Sequence, residues 1–100
     1  MLNYTKKQEG SVLRVDLDGS LDTNTAPGFM ADVQPQLGDI SKLVLNCEKL
    51  SYVSSAGLRV LLTFQQELEG AGKTMELHHV NDLIRDVFDV TGFLDILTIV

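Results

Sequence analysis

The chain has 100 residues, of which 44% are hydrophobic, and its formal net charge is −6. This length fits one compact domain over residues 1–100, and the hydrophobic content is too high for a disordered chain. Binding to nucleic acid or to an anionic membrane needs clustered Lys and Arg, so the acidic balance argues against both kinds of partner.

A single cysteine, Cys47, excludes an internal disulfide and a cysteine-based metal site. Residues 1–10 lack the apolar stretch of a signal peptide, and no apolar run approaches the ~20 residues that a membrane helix needs. His78 and His79 are adjacent, so in a strand they face opposite ways and form no metal pair. We expect a cytoplasmic protein without metal, cofactor or membrane insertion.

Two strands and a helix open the predicted fold. Residues 11–18 alternate between apolar and polar side chains, which predicts a strand with one buried face. Residues 2–7 are predicted to pair with it across a turn at Glu9-Gly10. Residues 22–25 favour a helix start, and Pro35 is expected to end or kink that helix. Apolar side chains recur at every fourth position of the helix: Phe29, Val33 and Leu37.

The middle of the chain repeats this alternation of strand and helix. Residues 42–47 contain the apolar run Leu43-Val44-Leu45, which predicts an interior strand covered on both faces. A polar turn at Ser54-Ser55 leads into a helix that is predicted to reach about Glu69. The glycines of Gly70-Ala71-Gly72 then favour a helix end.

The last predicted elements are a strand over residues 73–78, a helix from residue 80 or 81 to Gly92, and a strand over residues 96–100. The apolar positions of this helix are Leu83, Ile84, Val87, Phe88 and Val90. Strands separated by helices need crossover connections. We therefore predict an α/β fold with a mixed, mostly parallel sheet packed against helices, in the order β-β-α-β-α-β-α-β.

The segment from Leu50 to Leu62 is the most informative one, because two serines and a glycine stand where a polar turn becomes an amphipathic helix. The hydroxyls of Ser54 and Ser55 lie beside unpaired N–H groups at the positive end of the helix dipole. A phosphate is well accommodated there. The simpler interpretation is that both serines only cap the helix.

Gly57 adds a second constraint on this turn. A glycine within a helix costs about 1 kcal/mol relative to alanine, so its presence in the first turn suggests that something approaches the backbone closely. Tyr52 and Val53 are expected to pack inward and fix the turn.

The sequence resembles a known family along nearly its whole length. Residues 52–62, Tyr-Val-Ser-Ser-Ala-Gly-Leu-Arg-Val-Leu-Leu, are similar to the signature of the STAS domain of anti-sigma factor antagonists. Residues 19–26, 43–46 and 87–93 resemble other recurring segments of that family, in order and at suitable spacing. The resemblance implies a single STAS-type domain.

The resemblance also implies a partner. In that family the domain binds an anti-sigma factor that is a serine kinase of the histidine-kinase-like ATPase fold, and this capture releases a sigma factor. Phosphorylation of one serine abolishes capture, and a separate phosphatase restores it. By position the acceptor is Ser55, with Ser54 as the alternative. Many members have Asp where Ser54 stands, and Asp is also frequent at the position of Asn46.

We expect a partner surface at the starts of the first two helices and on the exposed side of the second helix. Successive βα turns of a parallel sheet emerge on the same side, which places Asp22 near Ser55. Arg59 lies one helical turn after Ser55 and can pair with a phosphate or a partner acid, although a solvated arginine is the simpler interpretation. Asp22 can equally serve as a helix cap. The predicted partner-binding residues are Asp22, Thr23, Asn24, Ser54, Ser55, Gly57 and Arg59.

No catalytic residues are predicted. The Gly-x-Ser-x-Gly motif of serine hydrolases and the Gly-rich loops that bind phosphates are both missing. Two alternatives to an anti-sigma factor antagonist stay open: a STAS module that binds a nucleotide or lipid, and a structural subunit of a transporter or sensing complex.

Overall fold

One four-stranded sheet carries three α-helices in the computed structural model, which describes residues 1–100. The strands are β1 (Leu2–Glu9), β2 (Val12–Leu21), β3 (Lys42–Val53) and β4 (Thr74–His78). The helices are α1 (Ala26–Val33), α2 (Ser55–Gly70) and α3 (Asp82–Thr91). Short 3₁₀ helices follow α1 at Gln34–Asp39 and α3 at Phe93–Asp95.

The strands lie in the order β1-β2-β3-β4, with β1 antiparallel to β2 and the other neighbours parallel. The predicted fold class and mixed, mostly parallel sheet are therefore confirmed. The predicted last strand is shorter than expected, because Ile96 and Leu97 still form a turn in which their N–H groups donate to Phe93 O. Only Ile99 forms a bridge, parallel to Leu77 of β4, so the predicted order of elements is kept.

All three helices pack on the same face of the sheet. Each contributes one phenylalanine with at most 1% of its surface exposed, namely Phe29, Phe64 and Phe88. These side chains belong to one hydrophobic cluster with the inward-facing residues of β2, including Leu13 and Val15. The alternation predicted for β2 thus identifies the face that forms the core.

β3 is an interior strand of the sheet, as the apolar run predicts, but helices cover only one of its two faces. Leu43 and Leu45 are fully buried against the helices, but Val44 points to the open face, where its register neighbours are Arg14 and Glu76. Val44 is nevertheless only 7% exposed. Long polar side chains on the adjacent strands cover apolar surface in this way while their charged ends stay in water.

The limits of the helices follow the predicted signals. α1 ends at Val33 and continues as a 3₁₀ helix that contains Pro35. The side chain of Asn81 caps α3 by accepting from Ile84 N at 3.0 Å, and Gly92 ends α3 in the left-handed conformation. None of the helices combines the length and hydropathy that a membrane-crossing segment requires.

The buried face of α3 contains only part of its apolar residues. Ile84 and Phe88 are fully buried, whereas Leu83 and Val90 are 60% and 84% exposed. Of the apolar positions of α3, only Ile84 and Phe88 thus belong to the buried core.

Asp32 of α1 ties this helix to the edge strand β1. Its carboxylate accepts hydrogen bonds from Tyr4 Oη at 2.7 Å and from Lys6 Nζ at 2.9 Å. These hydrogen bonds, the one from Tyr4 first, lower the pKa of Asp32 below its usual value. The same hydrogen bond and partial burial raise the pKa of Tyr4 to about 12.

Replacing Asp32 by Asn is expected to lower the free energy of unfolding near neutral pH. A carboxyl whose folded pKa is lowered stabilises the fold above its unfolded pKa of about 3.9, and this stabilisation is lost as the pH falls through the folded pKa. The difference from wild type should therefore shrink below about pH 4. Urea unfolding at several pH values measures this difference in unfolding free energy, with Asp39→Asn as the control. A difference that stays constant with pH would contradict this assignment.

Candidate functional site

The turn between β3 and α2 consists of one residue, Ser54. Its backbone is extended, and its Oγ accepts a hydrogen bond from Gly57 N at 3.3 Å, so Ser54 is the N-cap of α2. Its carbonyl accepts from Leu58 N at 2.8 Å. Ser54 is half-buried and held by the helix that it caps.

Ser55 is the first residue of α2, as predicted, and it is exposed. Its hydroxyl forms no hydrogen bond within the chain, and the N–H groups of Ser55 and Ala56 have no backbone partner. Unpaired N–H groups and the helix dipole together favour an anion at this position. The geometry is therefore suited to a phosphorylated side chain.

The turn between β2 and α1 lies beside this one. Leu21, the last residue of β2, pairs with Val53, the last residue of β3, and its carbonyl accepts from Ser54 N at 3.0 Å. The turn of residues 22–25 therefore leaves the sheet at the same edge as Ser54. This strand register explains why the two turns lie side by side, as predicted. Thr23 is exposed in the first of them.

Asp22 organises the start of α1. Its Oδ1 accepts from Asn24 N at 2.9 Å and from Thr25 N at 3.1 Å. Partial burial alone would raise the pKa of Asp22, but these hydrogen bonds and one from the Thr25 hydroxyl together lower it below the usual value. Asp22 thus holds a fixed negative charge on the edge that presents Ser55, and it also acts as the cap that the simpler interpretation predicted.

Gly57 is buried, and the group that approaches its backbone belongs to this chain. A Cβ on Gly57 would overlap the Leu21 carbonyl oxygen and lie 3.0 Å from both Leu21 Cγ and Val53 Cγ1. The group that was expected to approach the backbone of Gly57 closely is therefore Leu21, at the end of β2. A buried Gly57 has no surface to offer a partner, so we assign it a positioning role in place of the expected direct contact.

Tyr52 points outward, contrary to the prediction that it packs inward with Val53. It is 52% exposed, whereas Val53 is 3% exposed. A β-bulge in β3, where Gly19 pairs with Leu50 but Ser20 pairs with Tyr52, shifts the alternation by one residue. Tyr52 is thus an exposed aromatic side chain next to the turn, and nothing in the residue pattern signals the bulge.

Arg59 is exposed on α2, one turn beyond Ser55, and forms no ion pair within the chain. Asn46 lies elsewhere: in the middle of β3 it donates from Nδ2 to Asp16 Oδ1 at 2.9 Å on the open face of the sheet. This bond is the leading cause of the lowered pKa of Asp16. The residue at position 46 therefore does not belong to the edge that carries Ser55.

Two concave surfaces also lie on the open face of the sheet. The one of about 430 Å³ is lined by polar side chains that include Asn3, Arg14 and Lys49. Neither surface is lined by Asp22 or Ser55. The chain contains no group of three His, Cys, Asp or Glu side chains that is placed to hold a metal ion.

Comparison with known proteins gives matches over almost the whole chain. The family model described as "STAS domain" matches residues 3–100. The anti-sigma-B factor antagonist of Bacillus subtilis is 26% identical over 98 residues, which are 98% of this chain and 90% of that protein. BtrV of Bordetella bronchiseptica, provisionally named an anti-sigma factor antagonist, is 31% identical over 99 residues, which are 98% of this chain and 85% of that protein.

Solved structures share the fold. Unphosphorylated SpoIIAA matches with a TM-score of 0.79 at 20% identity, over 98% of this chain and 87% of that one. Phosphorylated SpoIIAA from Bacillus matches with a TM-score of 0.78 at 21% identity, over 98% of this chain and 91% of that one. A sulfate transporter family protein from Wolinella succinogenes matches with a TM-score of 0.76 at 18% identity, over 90% of this chain and 74% of that one. At these identities the matches establish the fold alone.

Replacing Gly57 by Ala is expected to destabilise the protein by about 1–3 kcal/mol, because the added methyl group meets backbone that cannot move aside cheaply. Gly28→Ala is the matched control: it too is the third residue of a helix, and a Cβ there has no neighbour within 4 Å. The control should be neutral or gain up to about 1 kcal/mol from helix propensity. Urea unfolding measures both variants, and equal effects would refute the close-contact role of Gly57.

Proposed function

We propose an anti-sigma factor antagonist role for this chain, which belongs to the STAS domain family. In this role the chain captures an anti-sigma factor and so frees a sigma factor for transcription. The names of two relatives that align over nearly the full length support the proposal. The chain acts by binding a protein, and we assign it no catalytic step.

The observation that carries the proposal is the exposed, unengaged hydroxyl of Ser55 at the start of α2. A phosphate there adds about −1.5 to −2 charges. The unpaired N–H groups of the first turn can hold these charges without unfolding the helix. SpoIIAA matches this chain about equally well in its unphosphorylated and phosphorylated forms, with TM-scores of 0.79 and 0.78, as expected if the fold tolerates the modification.

Phosphorylation would then act at the surface that meets the partner. Asp22 holds a negative charge on the same edge, so the phosphate adds to a charge that is already there. A partner that fits the unmodified surface would meet repulsion, bulk and lost complementarity. Thr23, Asn24 and Arg59 complete the proposed contact surface.

Ser55 is the better acceptor of the two serines. The Oγ of Ser54 is engaged by Gly57 N and is half-buried, whereas that of Ser55 is exposed. The proposed partner is an anti-sigma factor with serine-kinase activity and the histidine-kinase-like ATPase fold. We expect the two proteins to bind each other in the cytoplasm. A separate phosphatase would restore the unmodified state.

The two alternatives have less support. The likeness to a sulfate transporter family protein extends to the fold alone, at 18% identity. A nucleotide or lipid site would be favoured by a pocket between Asp22 and Ser55, and the two concave surfaces on the open sheet face involve neither residue.

Replacing Ser55 by Asp is expected to reduce capture of the kinase-type partner by at least about tenfold, because a fixed charge replaces the hydroxyl at the contact surface. Ser55→Ala should keep binding but accept no phosphate. Pull-down of the partner with each variant measures capture, and circular dichroism checks that the fold is intact.

Thr74→Asp is the control, since it adds the same charge at an exposed residue at the start of β4, on the opposite edge of the sheet. Equal capture by wild type and Ser55→Asp would rule out the switch. Mass spectrometry of protein from native cells should find phosphate on Ser55, and its presence only at other positions would point to a different acceptor.

A further inference from the structure

An apolar stripe runs along the exposed side of α3. Leu83 and Val90 are 60% and 84% exposed, and half-buried Val87 lies between them at helical spacing. The helix is anchored in the core through Ile84 and Phe88, and of the stripe only Val87 packs against that core. Large apolar side chains left in water on one helix face are typical of a contact surface.

A row of carboxylates runs beside this stripe. Asp82, Asp86 and Asp89 are all exposed, and their spacing of four and three residues places them on one side of α3, next to Leu83 and Val90. None of these carboxylates forms an ion pair within the chain. The surface therefore combines apolar area with three carboxylates that form no ion pair within the chain, and exposed Arg85 lies on the side of the row away from the stripe.

The helix that presents this surface is held in place. The side chain of Asn81 caps α3 and also donates from Nδ2 to Leu50 O at 2.8 Å and to Cys47 O at 3.3 Å. These bonds fix the first turn of α3 against β3. A partner would meet a preformed surface, which lowers the entropic cost of binding.

We propose that the stripe and the acidic row of α3 form a docking surface for an amphipathic segment of another protein, whose apolar side chains are flanked by Lys and Arg. The apolar side chains supply contact area, and the carboxylates select a basic partner. A second copy of this chain fits poorly, because pairing α3 with itself brings two acidic rows together on chains of net charge −6. The proposal uses no residue of the Ser55 surface.

The first test is titration of the full chain with a helical peptide of Leu and Lys in amphipathic spacing, followed by amide chemical shifts. A peptide with Glu in place of Lys is the matched control. We expect shifts concentrated in α3 with the Lys peptide and no binding of the Glu peptide. Absence of binding, or shifts spread over the whole acidic surface, would overturn the proposal.

The second test removes the apolar stripe. The double variant Leu83→Ser/Val90→Ser is expected to bind the Lys peptide at least about tenfold more weakly, since both exposed contacts are lost. Ile96→Ser/Val100→Ser is the control, because these side chains are also exposed, at 42% and 67%, but lie outside α3. Circular dichroism should be unchanged in both. Equal losses of affinity would contradict the assignment to α3.

The third test separates the acidic row from overall charge. Asp86→Asn/Asp89→Asn should weaken peptide binding, whereas Asp39→Asn/Glu67→Gln, which changes the net charge equally at other exposed positions, should not. Equal weakening would mean unspecific attraction to an acidic protein. Sedimentation that shows a dimer lost in Leu83→Ser/Val90→Ser would overturn the proposed occupant in favour of a second copy.

Discussion

The surface around Asp22 and Ser55 depends on a backbone contact that only glycine permits. Gly57 lets the first turn of α2 rest on the carbonyl of Leu21, and Ser54 N donates to the same oxygen at 3.0 Å. One carbonyl at the end of β2 therefore sets the position of two turns. The charge of Asp22 and the hydroxyl of Ser55 appear on one edge of the sheet as a consequence, and a side chain at position 57 would separate them.

Much of the fold could be predicted because the residue pattern reflects packing directly. Alternation identified the buried face of β2, and the predicted break at Pro35 marks the change from α1 to a 3₁₀ helix. Gly92 predicted the end of α3 because the left-handed conformation there favours glycine. The placement of Ser55 at a helix start also followed from local pattern, since a polar turn preceded an amphipathic run.

The remaining features depend on tertiary context. Gly57 predicted a close approach without naming Leu21, because the register of two distant strands decides which group approaches. Tyr52 faces outward since a bulge shifts the phase of β3, and a bulge has no fixed residue pattern here. Val44 is shielded by polar side chains of neighbouring strands, which an apolar run cannot distinguish from a covering helix.

We propose that modification of Ser55 changes the surface that meets a partner and leaves the fold intact. The most direct measurement is calorimetric titration of the anti-sigma factor with protein that carries phosphoserine at position 55, beside the unmodified protein. We expect affinity at least about 100-fold weaker for the phosphorylated protein, with amide shift changes confined to residues 22–25 and 54–59. Equal affinities, or shift changes throughout the sheet, would rule out a switch that acts only at this surface.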